Sequence, residues 1–220
     1  MDPDSQWSIM RKTVVKKMEA TFRECPQCFF SENDIHSVLY RLTKEELEQH
    51  RVNPEETTRD GNITSLVHHE YPTPFRCDMQ GYKFRRVSEE KRTPKGGLYK
   101  RGHYDLVILN PDFVKNNTLD IVCGKIFRKL QSILPKLSVP PLIWACEIIY
   151  FPKTKKLPKN AIKIIEQDTL KIKETIDSNF CKIGSVHVFT SHSRKEAAQL
   201  EQQTAQLAER EQIKITFTTA

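Results

Sequence analysis

Glycine is scarce in this sequence, with seven in 220 residues. Tight hairpin turns rely on glycine for positive φ, so an all-β sandwich is disfavoured. Neither G-x-G-x-x-G nor a Walker-type loop is present, which removes the common glycine-rich nucleotide cradles. Long apolar runs are also missing. No stretch approaches the roughly 20 residues a membrane-spanning helix needs. The residues Met1 to Trp7 are acidic and polar, unlike a secretory leader. Of six cysteines, only those in Cys25-Pro-Gln-Cys28 are closely spaced, and no second C-x-x-C exists to complete a four-thiolate zinc site. The expectation is an intracellular, cytoplasmic chain with no membrane association and with reduced thiols that fill core space. Cys25 and Cys28 are then two buried thiols at a helix-ending turn.

Basic residues are in excess. There are 35 Lys and Arg against 28 Asp and Glu, a net charge of +7. Such an excess suits a polyanion, since lysines and arginines that neutralise phosphates release counterions. A chain of this length is expected to form one domain, residues 1–220, that buries its own core.

Apolar spacing of three and four predicts a helix over residues 5–24 that stops at Cys25-Pro26. Ser31 and Asp34 form a capping-box variant ahead of a second helix, which either runs on or restarts at Thr43. Residues 51–62 read as polar turns. A strand over 63–71 is expected to stop at Pro72 and Pro74, and another is expected over 81–88. Lys91 to Gly102 reads as a basic loop, followed by an apolar strand over 104–109 and a helix over 118–134. The run from Leu142 to Phe151 is short and preceded by two prolines, which favours a central strand. A basic loop over 153–159, a helix over 160–176, a strand over 184–190, a polar helix over 193–210 and an edge strand over 213–218 complete the chain.

Two of the apolar strands each carry one carboxylate: Asp105 in Tyr104-Asp105-Leu106-Val107-Ile108 and Glu147 in Trp144-Ala145-Cys146-Glu147-Ile148-Ile149. An ionised carboxylate in such a run is costly unless paired, hydrogen-bonded or metal-bound. Carboxylate oxygens with water are what Mg²⁺ prefers. Either residue alone is explained as well by a neighbouring lysine or arginine; the joint pattern points to a site.

The order helix, strand, strand with Asp, strand with Glu, helix, strand resembles the PD-(D/E)XK nuclease superfamily over about residues 31–190. The helix over 5–24 and the segment 192–218 are then additions at either end. The resemblance implies an α/β fold with a restriction-endonuclease-like mixed central sheet flanked by helices. It implies phosphodiester hydrolysis with Mg²⁺, or Mn²⁺ in its place, on nucleic acid, DNA before RNA, in a monomer or homodimer. It makes Asp105 and Glu147 metal ligands and Glu32 a further one; a favourable charge at a helix start explains Glu32 equally. The lysine of the E-x-K step falls on Ile149. Movement of that lysine to the following helix makes Lys171 and Gln167, which share a face with Lys163, the replacements, with Lys153 as another candidate.

His103 shares the Asp105 face as ligand, general base or structural residue. Glu70 either joins the metal cluster or pairs with Arg76. Lys95, Lys100 and Arg101 in one basic loop, and Lys153, Lys155 and Lys156 in the other, would hold phosphates, with Tyr99 and Tyr82 stacking on bases. The alternative reading, motivated by Ile149, is an inactive nuclease-like module that binds nucleic acid or protein.

Overall fold

The computed structural model describes residues 3–78, 84–86, 99–124, 137 and 139–220, with side chains described for 6–74, 102–124, 137 and 139–220. The chain is α/β. Helix α1 is Pro3–Glu24 and α2 is Glu32–Gln49, with a short 3-10 turn, Pro26–Cys28, between them. Strands β1 (Glu55–Thr57), β2 (Ile63–Ser65), β3 (Val67–Asp78), β4 (Phe84–Arg86) and β5 (Tyr99–Leu109) follow. Short helices α3 (Pro111–Asn116) and α4 (Leu119–Val122) precede β6 (Leu142–Phe151). Then come α5 (Ala161–Asp177), β7 (Cys181–Thr190), α6 (Arg194–Glu211) and β8 (Lys214–Thr219).

The main sheet has the order β4-β3-β5-β6-β7-β8, and β1 and β2 form a separate two-stranded pair. It is mixed: β3 runs antiparallel to β4 and β5, and β7 runs parallel to β8. The expected edge position of the last strand is met. Two compact units divide the chain. The first holds Met1–Pro54, Cys146–Thr169 and Ser185–Ala220; the second holds Glu55–Ala145 and Leu170–Gly184.

In the first unit, α2 starts as its sequence predicts. Asp34 Oδ2 accepts from the Ser31 and Phe30 N–H groups at 2.7 and 2.8 Å, closing the capping box. Those N–H groups, Ser31 first, hold the Asp34 carboxyl below its usual range. The helix does not restart at Thr43, because Thr43 is buried and its hydroxyl donates back to Leu39 O at 2.7 Å. Helices α1 and α2 are joined by an ion pair between Lys17 and the buried Glu46 carboxylate at 2.7 Å. Phe22 of α1 meets Phe29, Phe189 and Tyr150, with ring centroids 5.3, 5.2 and 6.1 Å apart. Each fully buried side chain of this size contributes about 1.5–3 kcal/mol.

In the second unit, Tyr104 of β5 stacks on Phe180 and hydrogen-bonds Thr175 of α5 at 2.6 Å. Pro72 and Pro74 do not stop β3. They fall where its register against β5 shifts, between Pro72 and Arg76, so the ladder there lacks the regular N–H positions proline would spoil. The expected turn at 51–62 contains β1, whose Glu55 and Thr57 pair with Ser65 and Ile63. Lys100 and Arg101 lie within β5 rather than in a loop. The helix expected over 118–134 is the short α4 where described; residues 125–136 lie outside the described residues.

The expected reduced thiols at the first helix end are also corrected. Cys25 and Cys28 form a disulfide, and neither is buried. A turn of Pro and Gln between them brings the two Cα atoms to 5.5 Å, within the range a disulfide spans. Cys146 and Cys181 do fill core space, and burial pushes the Cys181 thiol up to about 12.

Candidate metal centre

The head of α2 carries a carboxylate and an imidazole one turn apart. Glu32 is exposed, while His36, one turn on, is 4% exposed. Their spacing of four puts both on one face, and Glu32 Oε1 lies 4.0 Å from His36 Nε2. Glu32 Oε2 also accepts from the Tyr150 backbone N–H at 3.3 Å, which ties the helix start to β6. A second tie fixes the segment before the helix: the Tyr150 hydroxyl donates to Phe29 O at 2.8 Å and meets Ser191 Oγ at 2.7 Å.

Glu147 lies on the same strand and is 1% exposed. Side chains alternate along a strand. The Tyr150 ring meets Phe22 and its hydroxyl meets Phe29, so that face of β6 carries α1 and the segment leading to Glu32. Glu147, three residues earlier, projects from the other face with Ile149, which is 4% exposed. Glu32 and Glu147, both expected as ligands, are therefore not brought together. The expected E-x-K step, Glu147 and Ile149, is buried on the side away from Glu32. His36, which sequence reasoning passed over as a ligand beside Glu32, is the donor that sits there. The Glu-x-x-x-His spacing at a helix start was the signal that could have found it.

In the second unit, Asp105 sits on β5 and is partly exposed. Its neighbour Tyr104 reaches α5, so Asp105 points from the opposite face. The β3–β5 register pairs His69 with Leu106 and Tyr71 with Tyr104, which sets Glu70 across from Asp105. Glu70 is exposed and has φ +55, a left-handed conformation that costs energy for a residue with a Cβ. His103 is exposed. The Lys171 ammonium donates to His103 O at 3.1 Å, so this lysine reaches the β5 backbone two residues from Asp105.

Gln167 and Lys163 are exposed on α5 in the first unit. Lys153, Lys155 and Lys156 are exposed on a turn in which Lys155 N donates to Pro152 O at 3.1 Å, as the expected basic loop requires. Tyr82 and Lys95 lie outside the described residues, and the side chains of Arg76, Tyr99, Lys100 and Arg101 are likewise not described. No helix among the described residues is long and apolar enough to cross a membrane. Compared with known proteins, the chain matches no family model, no curated protein and no solved structure.

Proposed function

We propose that this chain is a divalent-metal-dependent nuclease of PD-(D/E)XK layout, with Glu32 and His36 as metal ligands in the first unit and Asp105 of the second unit required for activity. The observation that carries the reading is the Glu32–His36 pair, fixed to β6 through Tyr150, in a chain whose β5 presents Asp105 away from α5. A carboxylate beside an imidazole fits Mg²⁺ less well than Mn²⁺, because imidazole nitrogen suits the later divalent metals. Mn²⁺ is therefore the preferred ion. A bound ion would polarise a phosphodiester oxygen and lower the pKa of a ligated water.

The protein's own groups do the rest. Glu32 holds negative charge where the ion binds. Tyr150, through its backbone N–H, orients the Glu32 carboxylate. Glu70 lies across from Asp105 in the second unit, between His69 and Tyr71 of the β3–β5 ladder. Lys171 is left out of the site, because it projects from α5 on the side of β5 away from Asp105; the exposed Lys153, Lys155 and Lys156 hold phosphates of the nucleic acid. Glu147 is left out of the ligand set, because it projects from the other face of β6.

The burial of Ile149 and the direction of Glu147 favour one second reading, a nucleic-acid-binding module that does not hydrolyse its ligand. Purified protein incubated with single- and double-stranded DNA and RNA in Mn²⁺ or Mg²⁺ separates the two. Metal-dependent cleavage that is lost in Asp105→Asn and Glu32→Gln supports the nuclease. Binding without cleavage in any metal supports the module.

A further inference from the structure

Where α1 packs on β8 in the first unit, positive charge gathers around Lys214. Lys12 and Lys16 are exposed one turn apart on α1, and Lys214 is exposed at the start of β8. Beneath them Arg11 is 7% exposed, and its Nε and Nη1 are buried with no hydrogen-bond partner among the described residues. Burial is the largest cause lowering the Lys214 pKa; Arg11, Lys12 and Lys16 press on it too, and Glu19 opposes them. Glu19 itself lies 3.7 Å from Arg23. The buried His187 beside Arg11 brings no negative charge to offset it: the imidazole is held neutral, its pKa lowered to about 3 by burial and then by Arg11 and Lys214.

Arg11, Lys12, Lys16 and Lys214 repel each other in the isolated chain, and a buried guanidinium with Nε and Nη1 unsatisfied carries an uncompensated desolvation cost. A polyanion laid across α1 and β8 removes the surface part of that cost. Lysines on a helix and a strand edge contact a backbone rather than read bases.

We propose that Lys12, Lys16 and Lys214, over the buried Arg11, form a sequence-independent contact for the phosphate backbone of nucleic acid, separate from the Lys153–Lys156 loop. This rests on the reading of the chain as a nucleic-acid protein, but not on hydrolysis.

The test is fluorescence anisotropy of labelled single-stranded and duplex oligonucleotides in EDTA, over a range of salt. It compares the full chain with Lys12→Glu/Lys16→Glu, Lys214→Glu and the milder Lys12→Gln/Lys16→Gln/Lys214→Gln. All three lysines are exposed, and unchanged circular dichroism and melting confirm the fold. The surface predicts at least a 10-fold weaker Kd for the charge reversals. It also predicts a salt slope reduced by about 0.9 for each phosphate no longer neutralised on a duplex, about 0.7 on a single strand. Wild-type Kd and slope in all three variants overturn the surface while leaving the nuclease reading to its cleavage assay. Weakened binding without cleavage by the wild type upholds the surface and removes the nuclease. Absence of oligonucleotide binding, with stabilisation by inorganic phosphate or by an acidic peptide instead, overturns the proposal in favour of those anions.

Discussion

Replacing Tyr150 with phenylalanine tests how the head of α2 is held. The ring stays, with its edge-on contact to Phe22 at 6.1 Å, so volume and apolar burial are nearly unchanged. What goes is the hydroxyl that donates to Phe29 O at 2.8 Å and meets Ser191 Oγ at 2.7 Å. A net hydrogen bond contributes about 0.5–1.5 kcal/mol, and a buried carbonyl left without its donor costs about 1–3 kcal/mol. The Ser191 hydroxyl is placed to turn toward the vacated space and recover part of this, so the expected loss is about 1–2.5 kcal/mol. For a chain of this size each kcal/mol lowers Tm by about 2–4 °C, giving a drop of about 2–10 °C. Urea unfolding should show a lower midpoint with the same m-value, since no extra surface is exposed in the native state. Because Glu32 is tied to the same residue, cleavage by Tyr150→Phe should need several-fold more metal for half-maximal rate, with the rate at saturating metal preserved. A stability loss below about 0.5 kcal/mol would refute the claim that this hydroxyl secures the segment.

Two further substitutions follow from packing and titration. A Cβ at Gly184 of β7 would lie 2.3 Å from Ile172 Cγ2 and 3.0 Å from Ile176 Cδ1, so Gly184→Ala should destabilise by about 1–3 kcal/mol in chemical denaturation. Ile172→Leu, which lacks that branch methyl, should recover part of the loss in the double variant, and Ile172→Val, which keeps it, should not. His187 is buried and neutral with its pKa lowered to about 3, so the unfolded chain takes up a proton that the folded chain refuses between about pH 6.5 and 3. Stability from this group is therefore full above pH 6.5 and falls as pH drops, by up to about 1.4 kcal/mol per unit. In His187→Gln the pH dependence of the unfolding free energy between pH 4 and 6 should be shallower by about that slope; an unchanged slope would contradict it.

The sequence made the periodic elements legible. The α2 capping box is local, written in Ser31 and Asp34, and the apolar runs around Asp105 and Glu147 needed no tertiary information to read as strands. Pro72 and Pro74 misled because a proline's cost depends on the partner strand's register, which depends on β5. The candidate site was legible only in part for a related reason. Alternation along one strand tells which residues share a face, but which face meets α1 depends on packing, and Phe22 against Tyr150 decides it. That packing turns Glu147 away from Glu32 and makes His36 the neighbouring donor. Cys25 and Cys28 misled because composition indicates a compartment, while their pairing follows from the turn that joins α1 to α2.

The most direct test of the central claim is Mn²⁺-dependent cleavage of labelled DNA and RNA by the wild type, Asp105→Asn, Glu32→Gln, His36→Gln and Glu147→Gln, each checked for folding. The expected outcome is cleavage by the wild type, loss of at least about 100-fold in Asp105→Asn and Glu32→Gln, a smaller loss in His36→Gln, and retained cleavage in Glu147→Gln. Cleavage abolished by Glu147→Gln in a folded protein, with Glu32→Gln active, would contradict it and restore the E-x-K assignment.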